Sequence, residues 1–540
     1  MSKKLSAVLL AVLLVLSSVY LYFWTTQKQG LHCDEVYSYG LSNYEGGVAY
    51  KTTDENENPK WNSKEDIYSY LVASKDHRFE YGQVIENQKN DVHPPFHYLI
   101  LHTVASFFPG SYSYLIGIIP NILFTLGTGI ILYLIGVMVL KNRIRALILA
   151  LAFLFSVNAV NMAIYIRMYS ELAFFSVCSL YFHIKLIKND FSLNKRDYIL
   201  LAVSVVLGAY THYYFLILQA AEAIILLIFA LFKKSFKKIL PYIITMAISA
   251  VVYFIIWPTC FSHIFASGRG EEAFNNVTTS SLGWTLSRYR DIIKQNVGNA
   301  FYNIGLWALI LSIIYYCYDK SFKNKSYALN TDAMINVFLA LSGGIYLLLV
   351  SKVAPYQTDR YISPVFPVVY ILALSGMFNI LELVTAKISK YGEAVRCIIV
   401  SLIVAFSFVT TTNASLVTNV SEVEPKNYLY RVPLENVVHF EENKENKCIV
   451  IYDHEAQFLF NLPDYMDNYK SVMFVHKDEL ASLDLTEDLK DEKEVVVYVN
   501  HSLPCDDLMV SLKEKSGFEN YEWQFYSGPR HWAHIYKMIR

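Results

Sequence analysis

Residues 5–37 read LSAVLLAVLLVLSSVYLYFWTTQKQGLHCDEVY, an apolar run up to Trp24 followed by the adjacent carboxylates Asp34 and Glu35. The run is close to the roughly 20 residues that span a bilayer. Two lysines precede it, and its aromatic end lacks a small-residue cleavage site. These features predict an uncleaved membrane helix with a cytoplasmic N-terminus. Adjacent acids beyond such a helix are, by themselves, as typical of a surface loop as of a catalytic site.

The composition places the whole chain in a membrane. Of its 540 residues, 54% are hydrophobic and 17% are charged, and the mean hydropathy is +0.30. The apolar residues come in long runs, which predicts a polytopic α-helical membrane protein with the lipid bilayer as a partner and no nucleic-acid partner. The seven cysteines show no CxxC spacing, so neither a zinc site nor a disulfide framework is indicated. Only Cys448 and Cys505 could pair, if the C-terminal part is extracellular.

Further apolar runs follow the first, and basic clusters recur between them, as at residues 141–145 and 233–238. Because cytoplasmic loops collect Lys and Arg, these clusters mark the inner side of the membrane. The sequence therefore predicts about eleven spans, with the N-terminus inside and the C-terminal residues outside. The predicted spans after the first are 114–140, 146–165, 171–186, 198–210, the run from there to Lys233, 239–257, 300–318, 337–350, 364–383 and 397–412.

A first outer loop, residues 25–110, separates the first two long spans. Residues 25–92 contain seven Lys/Arg and twelve Asp/Glu, an acidic excess that suits the outer face. The apolar stretch after Pro95 is marginal as a span, so we expect juxtamembrane or re-entrant helices there. We interpret residues 1–412, including this loop, as one transmembrane domain.

Residues 413–540 have the pattern of a small α/β domain outside the membrane. Short apolar runs, typical of buried strands, alternate with polar segments, and one polar segment has a helical pattern. The predicted strands are 448–452, 472–475, 495–499, 521–526 and 534–538, and the predicted helix is 506–515. This part of the chain carries no phosphate-binding glycine motif, so we assign it no catalysis.

The predicted topology collects the unusual polar residues at the outer ends of the spans. Any one of them has an ordinary explanation: an arginine can snorkel, a tyrosine can lie in the interfacial belt, and a histidine at a helix end can be solvated. Their convergence favours function, because ionisable groups at membrane depth are costly and tend to mark substrate paths. The residues are Asp34, Glu35, Asp91, His93, Arg167, Tyr169, Glu171, His212, Tyr213, Tyr214, Arg360 and Tyr361.

Taken in order, these residues resemble the GT-C superfamily of integral membrane glycosyltransferases. The likeness is to the glycosyltransferase family 39 type, which includes protein O-mannosyltransferases and the lipid A aminoarabinose transferase. It covers residues 1–412, whereas the C-terminal part does not resemble the β-trefoil module of eukaryotic O-mannosyltransferases. The motifs are Asp34-Glu35, Asp91-Val92-His93-Pro94-Pro95, Arg167-Met168-Tyr169, Thr211-His212-Tyr213-Tyr214, and Arg360-Tyr361 with Pro364 and Pro367.

The resemblance implies a GT-C fold and the transfer of a sugar from a polyprenyl-phosphate donor to an acceptor on the outer face, with inversion at the anomeric carbon. Asp34 would be the general base that takes the proton of the attacking hydroxyl. Cationic side chains would neutralise the leaving lipid phosphate. The implied donor and phosphate site is Asp91, His93, Arg167, Tyr169, His212, Arg360 and Tyr361.

Glu35 has two expected roles. It would be a second catalytic residue that orients the acceptor, or it would bind a divalent cation. The candidate metal ligands are Glu35, Asp91, His93 and Glu171, an oxygen-rich set that suits Mg²⁺ or Mn²⁺. Asp91 also has a structural alternative, because an Asp three residues before Pro94 can cap the following helix.

Two other functions fit a chain with many spans. A transporter or flippase of lipid-linked sugars usually places polar groups near the bilayer midplane and shows repeats, whereas here the polar residues lie at span ends and no repeat is evident. A non-catalytic membrane assembly protein would bind a partner through its outer domain and would tolerate change at Asp34. The sequence leaves the sugar and the acceptor open; the acceptor classes are a glycan, a wall polymer, a lipid and a protein. We expect an integral plasma-membrane protein, and the Lys/Asn/Ile-rich composition favours a bacterial source.

Overall fold

The computed structural model describes residues 1–301, 330–385, 391–418 and 427–540, and most of them lie in helices. The helices of the first outer loop follow the first long helix, and the remaining long helices come before a C-terminal sheet. They are α1 (Lys3–Thr26), α2 (Cys33–Asn43), α3 (Lys64–Leu71), α4 (Tyr81–Lys89), α5 (Phe96–Phe107), α6 (Tyr114–Val139), α7 (Arg143–Leu154), α8 (Val157–Ile164), α9 (Tyr169–Lys188), α10 (Lys195–Thr211), α11 (Tyr214–Phe232), α12 (Phe236–Ile256), α13 (Cys260–Phe265), α14 (Gly268–Thr279), α15 (Leu282–Phe301), α16 (Thr331–Val353), a 3-10 helix (Asp359–Val365), α17 (Phe366–Val384) and α18 (Gly392–Thr412).

Eight of the described helices are long and apolar enough to cross a membrane, and a ninth span results if the bent pair α7 and α8 counts as one. The predicted polytopic helical architecture is therefore confirmed. The predicted span 198–210 falls in α10, whose 17 residues are just too few for that count. The predicted span 300–318 lies almost entirely outside the described residues. Which side of the membrane each loop faces stays a prediction.

One predicted continuous span, 146–165, is broken in the structure. Helices α7 and α8 meet at an angle of 53°. Ser156 restarts the helix as the N-cap of α8, since its Oγ accepts the Ala159 N–H at 3.1 Å. The bend brings the end of α8, and the Tyr165–Arg167 segment after it, towards α2.

Small residues let α6 and α7 pack closely. A Cβ placed on Gly136 would lie 2.9 Å from the Cα of Ala146, so the two helix backbones approach each other across a position that only glycine fits. Close contact of this kind supplies the van der Waals energy that holds membrane helices together.

The C-terminal residues form a mixed sheet with the strand order β1-β3-β2-β4-β6-β5. Neighbours β3, β2 and β4 are parallel, and the other pairs are antiparallel. The elements are β2 (Lys447–Tyr452), β3 (Ser471–His476), β4 (Glu494–Asn500), β5 (Asn520–Tyr526) and β6 (Ala533–Ile539), with helices α19 (Leu434–Asn443), α20 (Glu455–Leu459), α21 (Leu462–Asn468), α22 (Cys505–Ser516) and α23 (Gly528–His531). The predicted strands and the predicted helix all lie on these elements. Cys448 and Cys505 are free thiols.

The sheet is built onto the first outer loop. Its edge strand β1 (Trp61–Asn62) comes from that loop and pairs with β3. One face of the central strands, including Val450 and Val496, shares a hydrophobic core with residues of α1, α2 and α8. The opposite face packs on Met509 and Leu512 of α22. The C-terminal sheet therefore lies directly against the part of the helical bundle that holds Asp34.

Candidate active site

Asp34 lies in the first turn of α2, where the helix N-terminus favours a negative charge. A capping box starts this helix: the His32 N–H donates to Glu35 Oε2 at 2.8 Å, and the Asp34 N–H donates to His32 Nδ1 at 3.1 Å. Burial lowers the pKa of His32 to about 4, despite the opposing pull of Asp34. His32 is therefore neutral at physiological pH, and its ring acts as an acceptor for the backbone.

The carboxylate of Asp34 pairs with groups from two distant parts of the chain. Its Oδ2 accepts a hydrogen bond from Arg360 Nη1 at 2.5 Å and another from the Tyr165 hydroxyl at 3.0 Å. Arg360 Nη1 also contacts the Tyr165 hydroxyl. Burial acts to raise the pKa of Asp34, but the positive charges of Arg360 and Arg167 and the hydrogen bond from Tyr165 outweigh it and hold the pKa well below its usual range. With 28% of its side chain exposed, Asp34 is an ionised carboxylate that solvent can reach.

Glu35, its neighbour, is fully buried and has no free oxygen. Lys28 Nζ donates to it at 3.1 Å, the Ile166 N–H at 2.9 Å and the His32 N–H at 2.8 Å. The Lys28 and Glu35 side chains are both 0% exposed. Glu35 thus joins the linker before α2, the start of α2 and the segment after α8, which is a structural task.

Arg167 connects α2, α5 and the loop before α5. Its Nη1 donates to the Asp34 carbonyl at 3.2 Å, to Ser38 Oγ at 3.3 Å and to the Tyr98 hydroxyl at 3.0 Å. Its Nη2 lies 3.3 Å from His93 Nε2. The guanidinium therefore holds the backbone of Asp34 and adds a positive charge behind it.

Asp91 and His93 form a pair that supports Arg167. The Asp91 carboxylate Oδ2 lies 2.8 Å from His93 Nδ1. If His93 Nδ1 carries the proton for this bond, its Nε2 is left to accept from Arg167. Burial acts to raise the pKa of Asp91, but His93 and Arg167 together have the larger, opposite effect. The pKa of Asp91 therefore lies below its ordinary value.

Aromatic side chains continue the site towards α11. The Tyr169 ring centroid lies 6.0 Å from that of Tyr165, 5.8 Å from that of His212 and 6.3 Å from that of Tyr361. The Arg360 guanidinium lies 5.4 Å from the Tyr361 ring centroid. The predicted donor-site residues Asp91, His93, Arg167, Tyr169, His212, Arg360 and Tyr361 are thus brought together beside Asp34.

The four candidate metal ligands do not come together in the described part of the chain. Glu35 binds Lys28, Asp91 binds His93, and Glu171 binds His97 Nδ1 at 2.7 Å in a fully buried pair. The ligand atoms of His32, Cys33 and Asp34 do lie within 4.8 Å of one another. This triplet does not fit a cation either, because the Asp34 N–H occupies His32 Nδ1 and Arg360 already neutralises Asp34.

Tyr165, which contacts the Asp34 carboxylate, and Tyr428, which contacts Tyr165, were not predicted from the sequence. Tyr165 is only two residues before Arg167, so the motif could have been extended to include it. Tyr428 stacks on Tyr165 with ring centroids 4.0 Å apart. No pattern marks Tyr428, because it follows the last span and comes from the part of the chain to which we assigned no catalysis.

No protein-family model and no curated protein matches the sequence, but solved structures match the fold, among them two of one protein. A crystal structure of ArnT from Cupriavidus metallidurans bound to undecaprenyl phosphate has a TM-score of 0.57 at 11% identity, covering 98% of this chain and 97% of that one. The apo state of the same protein has a TM-score of 0.51 at 11% identity, with the same coverage. At this identity the likeness establishes the fold alone. The chain therefore has the fold of that protein along nearly its whole length, and the fold expected from the motifs around Asp34 is confirmed.

Proposed function

We propose that the protein is a membrane glycosyltransferase that moves a sugar from a polyprenyl-phosphate donor to an acceptor hydroxyl, with Asp34 as general base. The observation that carries the proposal is the pairing of Asp34 with Arg360 at 2.5 Å. A base for the acceptor and a cation for the phosphate are thus side by side, with Asp34 shortly after the first membrane helix and Arg360 at the start of a later one. The fold is also that of a protein whose crystal structure contains undecaprenyl phosphate.

The proposed reaction needs one proton acceptor and one anion site. The acceptor oxygen attacks the anomeric carbon from the face opposite the lipid phosphate, and the bond from that carbon to the phosphate oxygen breaks. Asp34 takes the hydroxyl proton as the new glycosidic bond forms. The bonding pair leaves with the lipid phosphate, and the proton passes from Asp34 to water after the product departs. Inversion follows from this single displacement.

Arg360 is the proposed phosphate ligand. Its Nε, like that of Arg167, has no hydrogen-bond partner among the described residues, so part of its planar fork is unsatisfied while Nη1 binds Asp34. A guanidinium can hold phosphate oxygens in a bidentate manner. Arg167 is more deeply buried and engages four partners, so we assign it the background positive charge and the positioning of Asp34.

The same pairing accounts for how a carboxylate with a low pKa can serve as a base. A base works best when its pKa lies near the working pH, and Arg360 holds the pKa of Asp34 below that range. When the lipid phosphate arrives, it shares the charge of Arg360 and weakens the hold on Asp34. With that opposing charge reduced, the burial of Asp34 raises its pKa towards the working pH at the stage when it accepts the proton.

Glu35 is proposed as the residue that anchors the start of α2, not as a second base, because its carboxylate is occupied on all sides. Divalent metal has no step in the proposal, since two arginines provide the positive charge. The finer identity of the donor sugar, of the acceptor and of the lipid chain length is for the experiment to find.

The test uses the purified protein in lipid vesicles with a panel of undecaprenyl-phosphate sugars labelled in the sugar, and a mixture of glycan, lipid and peptide acceptors. We expect label in a new glycoside with one donor, and no loss of transfer on addition of EDTA. Asp76→Asn, a change of an exposed acid in the same outer loop, is the matched control and should transfer normally. Movement of the intact labelled lipid between leaflets, without any new glycoside, would instead identify a flippase and contradict the proposal.

A further inference from the structure

The segment after the last span, residues 427–432, lies against the linker between α1 and α2; we refer to it as the C-terminal strap. The Gln29 N–H donates to the Leu429 carbonyl at 2.8 Å, and the Val432 N–H donates to Gln29 Oε1 at 2.8 Å. Lys28 Nζ donates to the Tyr428 carbonyl at 2.7 Å. Since Lys28 also binds Glu35, the strap is linked to the residue next to the base.

Tyr428 contacts Tyr165, which faces Asp34, and Asp359, which directly precedes Arg360. Its ring stacks on that of Tyr165, with centroids 4.0 Å apart and planes inclined by 21°. Its hydroxyl donates to Asp359 Oδ1 at 2.7 Å. Asp359 directly precedes Arg360, and its other oxygen accepts from Asn161 Nδ2 at 3.4 Å. One side chain thus sets the plane of the Tyr165 ring and the start of the 3-10 helix that carries Arg360.

The far end of the strap is held rigidly. Tyr430 has a φ of +46°, a left-handed conformation that is strained for a non-glycine residue and persists only where the surroundings impose it. Arg530 imposes it: its Nη1 donates to the Tyr430 carbonyl at 2.9 Å and its Nη2 to the Gln29 carbonyl at 3.1 Å. Arg530 is itself paired with Asp464, at 2.5 Å and 2.6 Å. Two helices of the C-terminal domain, α21 with Asp464 and α23 with Arg530, therefore hold the strap against the site through a buried ion pair.

We propose that the C-terminal strap is part of the active site and that Tyr428 is a positioning residue, which holds Tyr165 and Arg360 in the geometry that Asp34 needs. This inference rests on the proposed glycosyl transfer. It gives the C-terminal domain a role in the chemistry, which no sequence motif of that domain indicates. A strap that only tethered the domain would affect folding and leave the rate of transfer per folded molecule unchanged.

The test compares Tyr428→Phe, which keeps the ring and removes the hydroxyl, with Tyr428→Ala, which removes both. We expect kcat to fall about tenfold for the first, the size of one lost hydrogen bond, and about a hundredfold for the second, with the KM for donor little changed. The matched control is Tyr469→Phe. It removes a buried hydrogen bond of 2.7 Å to Tyr498 inside the sheet, so it should lower the melting temperature and leave kcat unchanged.

A double-mutant cycle separates positioning from general stability. If the hydroxyl of Tyr428 acts through Asp359, the double variant Asp359→Ala/Tyr428→Phe should have almost the same kcat as Asp359→Ala alone. The effects of two residues in one hydrogen-bond network are not additive. Additive losses, or kcat values for Tyr428→Phe and Tyr428→Ala equal to wild type per folded molecule, would overturn the inference. Absence of transfer by the wild type with every donor would be a failure of the proposed function and is recognised before any variant is measured.

Discussion

At the scale of single residues, the proposed mechanism makes the carboxylate of Asp34 and the donor phosphate compete for one cation, Arg360. The groups that face the Asp34 side chain are Arg360, Tyr165, His32 and Cys33, and Arg167 lies behind its carbonyl. Of these only the arginines are positively charged at neutral pH, since burial keeps His32 neutral. Arg360 is therefore the cation that lowers the pKa of Asp34 most, and in the proposed mechanism it controls the protonation of that carboxylate.

This control predicts a pH dependence. In the wild type the pKa of Asp34 is below its usual value of about 3.9, so the base stays ionised and kcat/KM should not fall as the pH is lowered from about 7 to about 5. In Arg360→Gln the burial that raises the pKa of Asp34 is no longer opposed by that cation. Its kcat/KM should be lower overall, and it should fall further on acidification through that range.

Arg290→Gln, a change at an exposed arginine of α15, is the control for loss of one positive charge and should give a wild-type profile. An Arg360→Gln profile as flat as that of the wild type would show that Arg360 does not set the pKa of Asp34.

The sequence could predict Asp34, Arg167, Arg360 and the Asp91–His93 pair, because these charged residues lie next to apolar spans where charge is costly. It could not predict that both carboxylate oxygens of Glu35 already accept hydrogen bonds. Its partner Lys28 is seven residues away in an unpatterned linker, and Ile166 contributes only a backbone N–H. Tyr428 lies 400 residues from Lys28, to which it is bonded, and nothing local reveals such a contact.

At the scale of elements, the hydrophobic runs predict the helices well, since length and apolarity are what a bilayer demands. They do not predict the break between α7 and α8, because Phe155 and Ser156 interrupt neither the length nor the apolarity of the run. The break depends on a cap and on tertiary packing. It is also what delivers Tyr165 and Arg167 to the site.

The contact of α6 with α7 predicts a destabilising substitution. Gly136→Val would place a side chain where a Cβ already lies 2.9 Å from the backbone of Ala146, so the helices must move apart. We expect a loss of about 1–3 kcal/mol, typical of overpacking, measured as a lower melting temperature in detergent.

Gly344→Ala in α16 is the control, because a Cβ there meets no atom within 4 Å. It should melt at or slightly above the wild-type temperature, because alanine favours a helix more than glycine does. Equal melting temperatures for both variants would contradict the close approach of α6 and α7.

At the scale of the whole molecule, the C-terminal sheet and the helical bundle are joined by more than a linker. The edge strand from the first outer loop, the shared core and the strap hold them together. The strands of this sheet could be predicted from their short apolar runs. Their attachment could not, because β1 has only two residues and the partners are far apart in sequence.

Arg530 is the residue on which this attachment most depends. Its side chain and that of Asp464 are 4% and 10% exposed, and Arg530→Ala would leave a buried carboxylate without its main cation. Removing one partner of a buried pair costs about 3–5 kcal/mol. We expect a lower melting temperature and faster proteolysis of the C-terminal domain in vesicles.

Lys490→Ala breaks a surface pair with Glu487, whose side chains are 59% and 85% exposed, and it should change neither quantity because such pairs contribute little. If Arg530→Ala resists heat and protease as well as this control does, the sheet is held to the bundle by other contacts.

The central claim is that Asp34 takes the proton of the acceptor during sugar transfer from a lipid phosphate. The most direct measurement is single-turnover transfer in vesicles by wild type and Asp34→Asn, with binding of undecaprenyl phosphate measured on the same samples. The amide keeps the size of the side chain and its contact with Tyr165 but cannot accept the proton. We predict a transfer rate at least about a hundredfold lower, the usual contribution of a general base, with lipid binding retained. Transfer by Asp34→Asn at the wild-type rate would contradict the account.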